Sequence, residues 1–185
     1  ASLGGWDPDT GNRLWQHVPT EGSDFNVTTP LIFDSQLLLA TENNGTRLHQ
    51  FAKNGKPIDK PVMINPALAP DTCSPVIVGD RVFATAYGEM YCLDLKNNLK
   101  TVWVKEDDIF YDHSNVIGGN GRVLVWTQSG DLLLLDAAAN KFSPLSRMRP
   151  FGDSKVDSMS HPAIVGNRIY IRGPNEIACF KLSRD

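Results

Sequence analysis

The feature that most constrains this chain is a repeat. Four stretches look alike, opening at Thr28, Cys73, His113 and Ser160. Aligned on Pro30, Pro75, Asn115 and Pro162, they recur at spacings of 45, 40 and 47 residues. Periods of this size belong to helical repeats or to four-stranded propeller blades. Local pattern separates the two. The second copy holds PVIV, RVFATAY, MYCLDL and LKTVWV, short runs rich in Val, Leu and aromatic residues. Turn pairs lie between them: Gly79-Asp80, Gly88-Glu89 and Asn97-Asn98. No window of about 12 residues keeps apolar positions at helical spacing. The expected fold is therefore all-β, a β-propeller of four-stranded antiparallel blades within one domain, 1–185. Blade parts are expected at about 1–19, 27–65, 72–106, 112–150 and 159–185.

The opening stretch GWDPDTGNRLWQHV reads as the tail of a preceding blade. A third strand ends at Trp6-Asp7, DPDTG turns, and NRLWQHV forms the fourth strand. Asp7 can accept backbone N–H bonds inside the turn, and Gly11 can take a positive φ. Trp15 offers a large flat face for packing on a neighbouring blade.

The pattern D-x-x-T-G-x-x-x-W, here Asp7, Thr10, Gly11 and Trp15, resembles the tryptophan-docking motif of pyrroloquinoline quinone (PQQ)-like repeat propellers. The copy from Cys73 keeps Asp94 and Trp103 with NN in place of TG. The next keeps Asp136 and loses the Trp. CSPVIVGDRVF and SHPAIVGNRIYIRG are similar to exported bacterial propellers of this family. The resemblance implies an extracytoplasmic, periplasmic setting. The chain opens on ASLGG without an apolar leader, so an export signal is expected to be absent or already removed.

Two ring sizes fit this pattern. NRLWQHV would complete the last blade in a closed four-bladed ring, which removes exposed edges. Alternatively, the chain is about half of a seven- or eight-bladed propeller. The family's usual blade number favours the larger ring, as does the competition of ASLGGW and NEIACFKL for one place. An open segment should self-associate through its sheet edges.

The formal net charge is −3, with no basic block, which argues against a nucleic-acid partner. No apolar run approaches the ~20 residues of a membrane-spanning helix. Cys73, Cys92 and Cys179 are three, form no CxxC, and read as buried free thiols.

Candidate sites derive from the propeller. The inner strands should begin near Thr28, Cys73, His113 and Ser160, with Thr29, Ser74, Ser114 and His161 one level along. These small hydroxyls and imidazoles either line a polar channel mouth or tie down the start of each strand. The loops leading to the inner strands are long and acidic, with Asp107, Asp108 and Asp112 the densest group. Such loops on a rigid ring suit binding, and a negative face attracts basic segments. Phe25, Phe110, Tyr111 and Phe151 either stack on a sugar or staple loops to blades. A metal held by His113, His161 and Cys73 lacks any supporting local spacing, so no metal site is assigned. Asp112-His113-Ser114 spells a hydrolytic triad, but strand neighbours face opposite sides.

The resemblance also raises quinone chemistry. Family dehydrogenases of the methanol type carry adjacent cysteines over PQQ, with calcium held by Glu and Asn and an Asp as base. This chain has no Cys-Cys pair and no matching acid set. The same repeat also builds docking platforms in outer-membrane assembly. The expected function is a non-catalytic scaffold without a cofactor, binding another protein, or the remaining blades, through its acidic loops. A fragment of a quinone-dependent or carbohydrate-active enzyme is the alternative, with PQQ or calcium bound.

Overall fold

In a computed structural model, residues 2–24, 27–152 and 156–182 are described. They form five separate antiparallel sheets, each a meander of consecutive strands. The first holds β1 (Leu3–Trp6) and β2 (Arg13–His17). The second holds β3 (Leu31–Phe33), β4 (Gln36–Thr41), β5 (Gly45–His49) and β6 (Met63–Asn65). The third comprises β7 (Val76–Val78), β8 (Arg81–Ala86), β9 (Glu89–Asp94) and β10 (Lys100–Glu106). A single 3₁₀ turn, Asp108–Phe110, leads to the fourth sheet. That sheet holds β11 (Ser114–Gly119), β12 (Arg122–Thr127), β13 (Leu132–Asp136) and β14 (Pro144–Met148). The fifth has β15 (Ala163–Val165), β16 (Arg168–Arg172) and β17 (Ile177–Lys181).

The short strands result from the turns. Asp34-Ser35 and Asn120-Gly121 both sit at positive φ, +46°/+60° and +49°/+69°, the geometry of two-residue hairpin turns. Buried residues of β4, β8, β12 and their neighbours fill the space between sheets. One core runs across the second, third and fourth sheets through Leu38, Leu48, Phe83, Leu93, Val125 and Leu135. A smaller cluster, Trp126, Leu132, Val156, Ile169 and Ile171, joins the fourth sheet to the fifth. The inner strands approach closely. A Cβ at Gly118 would lie 2.6 Å from Val78 Cγ2, so only glycine fits there without displacement.

Strand pairing bears on one of the two ring sizes and corrects one sequence expectation. First, β2 pairs with β1, and among the described residues it joins no sheet with β17. NRLWQHV therefore does not complete the last blade, and the closed four-bladed ring does not form through it. Second, the third full repeat is shifted by one residue. Val78 pairs Arg81, and Gly119 pairs Arg122 at the same place in the next sheet. Counting back, Val116 occupies the position of Pro30, Pro75 and Pro162. Asn115, not Ser114, is therefore equivalent to Thr29, Ser74 and His161. The turn Gly119-Asn120-Gly121-Arg122 imitates Val78-Gly79-Asp80-Arg81 with shifted glycines, which misled alignment by letter.

Candidate functional site

The tryptophan motif is a device for turns and blade seams. Asp7 Oδ1 accepts from Asp9 N at 2.9 Å and Thr10 N at 3.3 Å. Those bonds, Asp9 foremost, hold its carboxyl below the usual carboxylate range. Gly11 takes φ +72°, and its N–H donates to Asp7 O at 2.8 Å. Asp94 repeats the turn, accepting from Lys96 N at 2.9 Å and Asn97 N at 3.2 Å. Asp136 does so from Ala138 N at 3.0 Å. Trp15 lies 6.5 Å from Phe51, just beyond the end of β5. Trp103 crosses its seam fully. Its ring meets Phe142 edge-on at 5.7 Å, and its Nε1–H donates to Ala139 O at 3.2 Å. Arg81 reaches the same loop, donating to Ala137 O at 3.1 Å and Ala139 O at 2.5 Å.

The inner-strand residues divide by face. Thr29 and Ser74 meet across a seam: Thr29 N donates to Ser74 Oγ at 3.0 Å, and Ser74 Oγ to Thr29 Oγ1 at 3.2 Å. Asn115 takes the equivalent place in the next blade, 3.2 Å from His113 Nε2, and donates to Met159 O at 3.3 Å. His161 lies within electrostatic reach of His113. Partial burial, then the His113 charge, pushes its imidazole below the ordinary value. Ser114 is turned away and buried, because it sits one residue earlier on an alternating strand. Cys73 is likewise buried, its Sγ accepting from Thr85 N at 3.4 Å. Among the described residues, no group of three or more His, Cys, Asp or Glu side chains converges as a metal set.

The loops surround a second feature. Tyr87 and Gly88 form the β8–β9 turn, at φ +48° and +86°. A bulky side chain at positive φ is strained, yet the Tyr87 ring stays 59 % exposed. Tyr111 beside it is 76 % exposed and Met159 is exposed too. A cleft of about 220 Å³ lies between Tyr87, Tyr111, Asp71, Asp112, His113 and Met159. Tyr87 Oη donates to Glu42 Oε1 at 3.3 Å. Burial, then the charges of Glu42 and Asp71, raise its phenol above the ordinary value. Asp107 caps the 3₁₀ turn, accepting from Ile109 N at 3.4 Å, and lies 3.9 Å from Lys105. Asp108 is in the first turn. Phe110 is buried and Phe151 packs edge-on against Trp126 at 6.3 Å, so these two staple loops rather than face a ligand. Phe25 lies outside the described residues.

Sequence reasoning missed a third feature, a cleft of about 460 Å³ where β2 meets β5. His17, Arg47 and His49 line it, and all three are buried. Arg47 and His49 are two apart on β5, so they share a face; His17 arrives from another sheet, which leaves no spacing to read. Arg47 Nη2 donates to Thr41 Oγ1 at 2.7 Å, which donates to Asp24 Oδ2 at 2.6 Å. Asp24 also accepts from Asn43 N at 2.5 Å and from Asn44. Its burial works upward, but these bonds and the Arg47 charge hold its carboxyl below the usual range.

The sequence places these sheets in a known family. The sequence profile of a family described as outer membrane protein assembly factor BamB, a PQQ-like repeat family, matches residues 2–143. The chain belongs to that family. No curated protein matches the sequence significantly. Among solved structures, BamB from Moraxella catarrhalis is similar with a TM-score of 0.63 and 19 % identity. The match covers 93 % of this chain and 54 % of that one. The computationally designed Ika8 protein gives 0.67 at 12 % identity, over 98 % and 52 %. Kluyveromyces lactis Hsv2 gives 0.63 at 9 %, over 100 % and 56 %. These likenesses establish a β-propeller fold, with the chain spanning about half the length of each structure. In this family member, no described helix is long and apolar enough to cross a membrane.

Proposed function

We propose that this chain is a non-catalytic docking scaffold of the bacterial periplasm. Its acidic loop face holds an extended segment of a partner protein, one that carries basic and apolar side chains. The observation that carries this reading is Tyr87. A tyrosine is kept at positive φ with its ring in solvent, where glycine or asparagine would cost less. Tyr111 and Met159 extend the apolar surface, and Glu42, Asp71 and Asp112 surround it. Aromatic anchors within a charged rim are the usual composition of a binding hot spot. Membership of a family described as an assembly factor supports a protein partner. The reading involves no quinone step, since the chain has no adjacent cysteines to lie over PQQ.

The test uses two labelled peptides of about ten residues, alternating Arg-Leu and Glu-Leu, followed by fluorescence anisotropy. The Arg-Leu peptide should bind and weaken as salt rises. Tyr87→Asn, which tolerates the same backbone, and Tyr111→Ala should each weaken it about tenfold. Equal binding of both peptides, or indifference to both substitutions, would overturn the reading. Native mass spectrometry alongside should show no PQQ or calcium adduct.

A further inference from the structure

The joint between the first and second sheets is built unlike the others. Among the described residues, none of β1 or β2 belongs to either buried apolar cluster. Rings meet there instead. Trp15 approaches Phe51, and His17 meets His49 edge-on with centroids 4.9 Å apart. A cavity of about 100 Å³ remains between Leu3, His17, Leu39 and Arg47, so the joint is loosely filled. Both imidazoles are buried, and so is Arg47, two residues from His49 on the same face of β5.

Hydrogen bonds fix where an added proton must go. His49 Nδ1 lies 2.9 Å from Ile58 O. A carbonyl only accepts, so Nδ1 already carries hydrogen and Nε2 is the basic nitrogen. His49 Nε2 is buried and has no hydrogen-bond partner. A proton arriving there makes a dry, unpaired cation against the His17 ring and near the Arg47 guanidinium. The carboxylates around the pair offset this only in part. Asp59 lies 3.4 Å from His17 Nδ1 but is 79 % exposed, where water screens it. Asp24 is committed to Thr41, Asn43 and Asn44. Glu21 and Glu42 line the same cleft and favour a cation, with one Glu42 oxygen taken by Tyr87 Oη. The balance goes against the proton. Burial first, then the charges of His17 and Arg47, outweigh the Ile58 bond and Asp59 and hold the His49 imidazole below its ordinary value.

We infer that this joint is pH-sensitive: the β1–β2 sheet stays docked on the second sheet only while His49 is neutral, and mildly acidic solution releases it. The sign follows from linkage. A base held below its ordinary value when docked regains that value once solvated. Docking is therefore fully favourable above about pH 6.5 and weakens as pH falls below it. One proton changes the opening constant by at most about tenfold per pH unit. A released two-stranded sheet is marginal by itself, so its amides lose protection. The Asp24 carboxyl, held below the usual carboxylate range, acts in a lower pH window and is separable from this effect.

The experiment follows hydrogen exchange of the 185-residue chain by mass spectrometry at about pH 7.5, 6.5 and 5.5. Each rate is divided by that of an unstructured peptide at the same pH. Protection of the β1–β2 amides should fall about three- to tenfold from pH 7.5 to 5.5, mostly below 6.5. Protection of β8 and β9 should hold. His49→Asn, whose amide can still donate to Ile58 O but takes no proton, should make β1–β2 protection independent of pH. His113→Asn and His161→Asn should leave the fall in place. Should His49→Asn leave the joint open at every pH, NMR of ¹³C-labelled histidine in the unaltered chain decides. The His49 ring should titrate over the same range as the opening. Three results would each overturn the inference: β1–β2 protection that ignores pH, a fall that survives His49→Asn, or a His49 ring that titrates without opening.

Discussion

The seam between the third and fourth sheets and the seam between the fourth and fifth come from one repeat, yet they are built differently. At the first, Trp103 and Arg81 donate hydrogen bonds to carbonyls of the 137–139 loop, over the continuous core of Phe83, Leu93 and Leu135. At the second, the docking Trp has been lost, β14 is exposed along its length, and the sheets are joined by five buried side chains with the Asn115–Met159 and Gln128–Asp157 hydrogen bonds at the rim. The propeller is thus not uniformly stable. Where the seam is read by donors and a large ring it should open only with global unfolding, and where it rests on a small cluster it should open locally.

Four measurements bear on this contrast. The largest effect is expected from Trp103→Ala, which should lower the unfolding free energy by about 3–5 kcal/mol in a denaturant titration. A loss below about 1 kcal/mol would remove the claimed difference between seams. Arg81→Met should cost about 1.5–3 kcal/mol, because its charged hydrogen bonds to Ala137 O and Ala139 O vanish. Hydrogen exchange should then show amides of β16 exchanging well before those of β8 and β9. Equal protection would mean one cooperative unit. Thiol labelling gives the smallest perturbation. Burial pushes the Cys92 thiol up to about 12, and Cys73 is also raised by burial, whereas Cys179 on β17 is exposed. A thiol reagent at neutral pH should modify Cys179 alone in the native chain.

The segment that Asp24 ties to the β4–β5 turn adds a pH arm to the same comparison. The folded Asp24 carboxyl titrates below its unfolded value, so its contribution to stability is fully present above about pH 4. It is lost as pH falls through the lower folded value. Asp24→Asn should flatten this acid dependence and leave the Trp103 seam unaffected.

The repeat, the turns and the tryptophan were legible in the sequence because each obeys a local rule. Asp7, Asp94 and Asp136 announce their turns through the small and polar residues immediately after them, and alternating apolar residues announce the strands. The shift at Val116 was not legible. Glycine-rich turns of equal length look misaligned when their glycines sit at different corners, and only pairing through Arg122 fixes the register. Cys179, expected to be buried, is exposed because β17 lacks a covering sheet among the described residues. The His17–His49 pair was invisible because its members approach across a seam. Tyr87 was readable in principle, since a tyrosine immediately before the glycine of a two-residue turn must accept an unfavourable φ.

The donors at the Trp103 seam address main-chain carbonyls, and every residue type carries one. A neighbouring blade can therefore change the exposed Ala138 and the half-buried Ala139 without losing these bonds, provided its loop keeps its path, whereas Ala137 is held by the core. Sequence drift is tolerated where the contact is to backbone, and specificity between blades falls to the two side chains the seam also meets, Asn140 and Phe142.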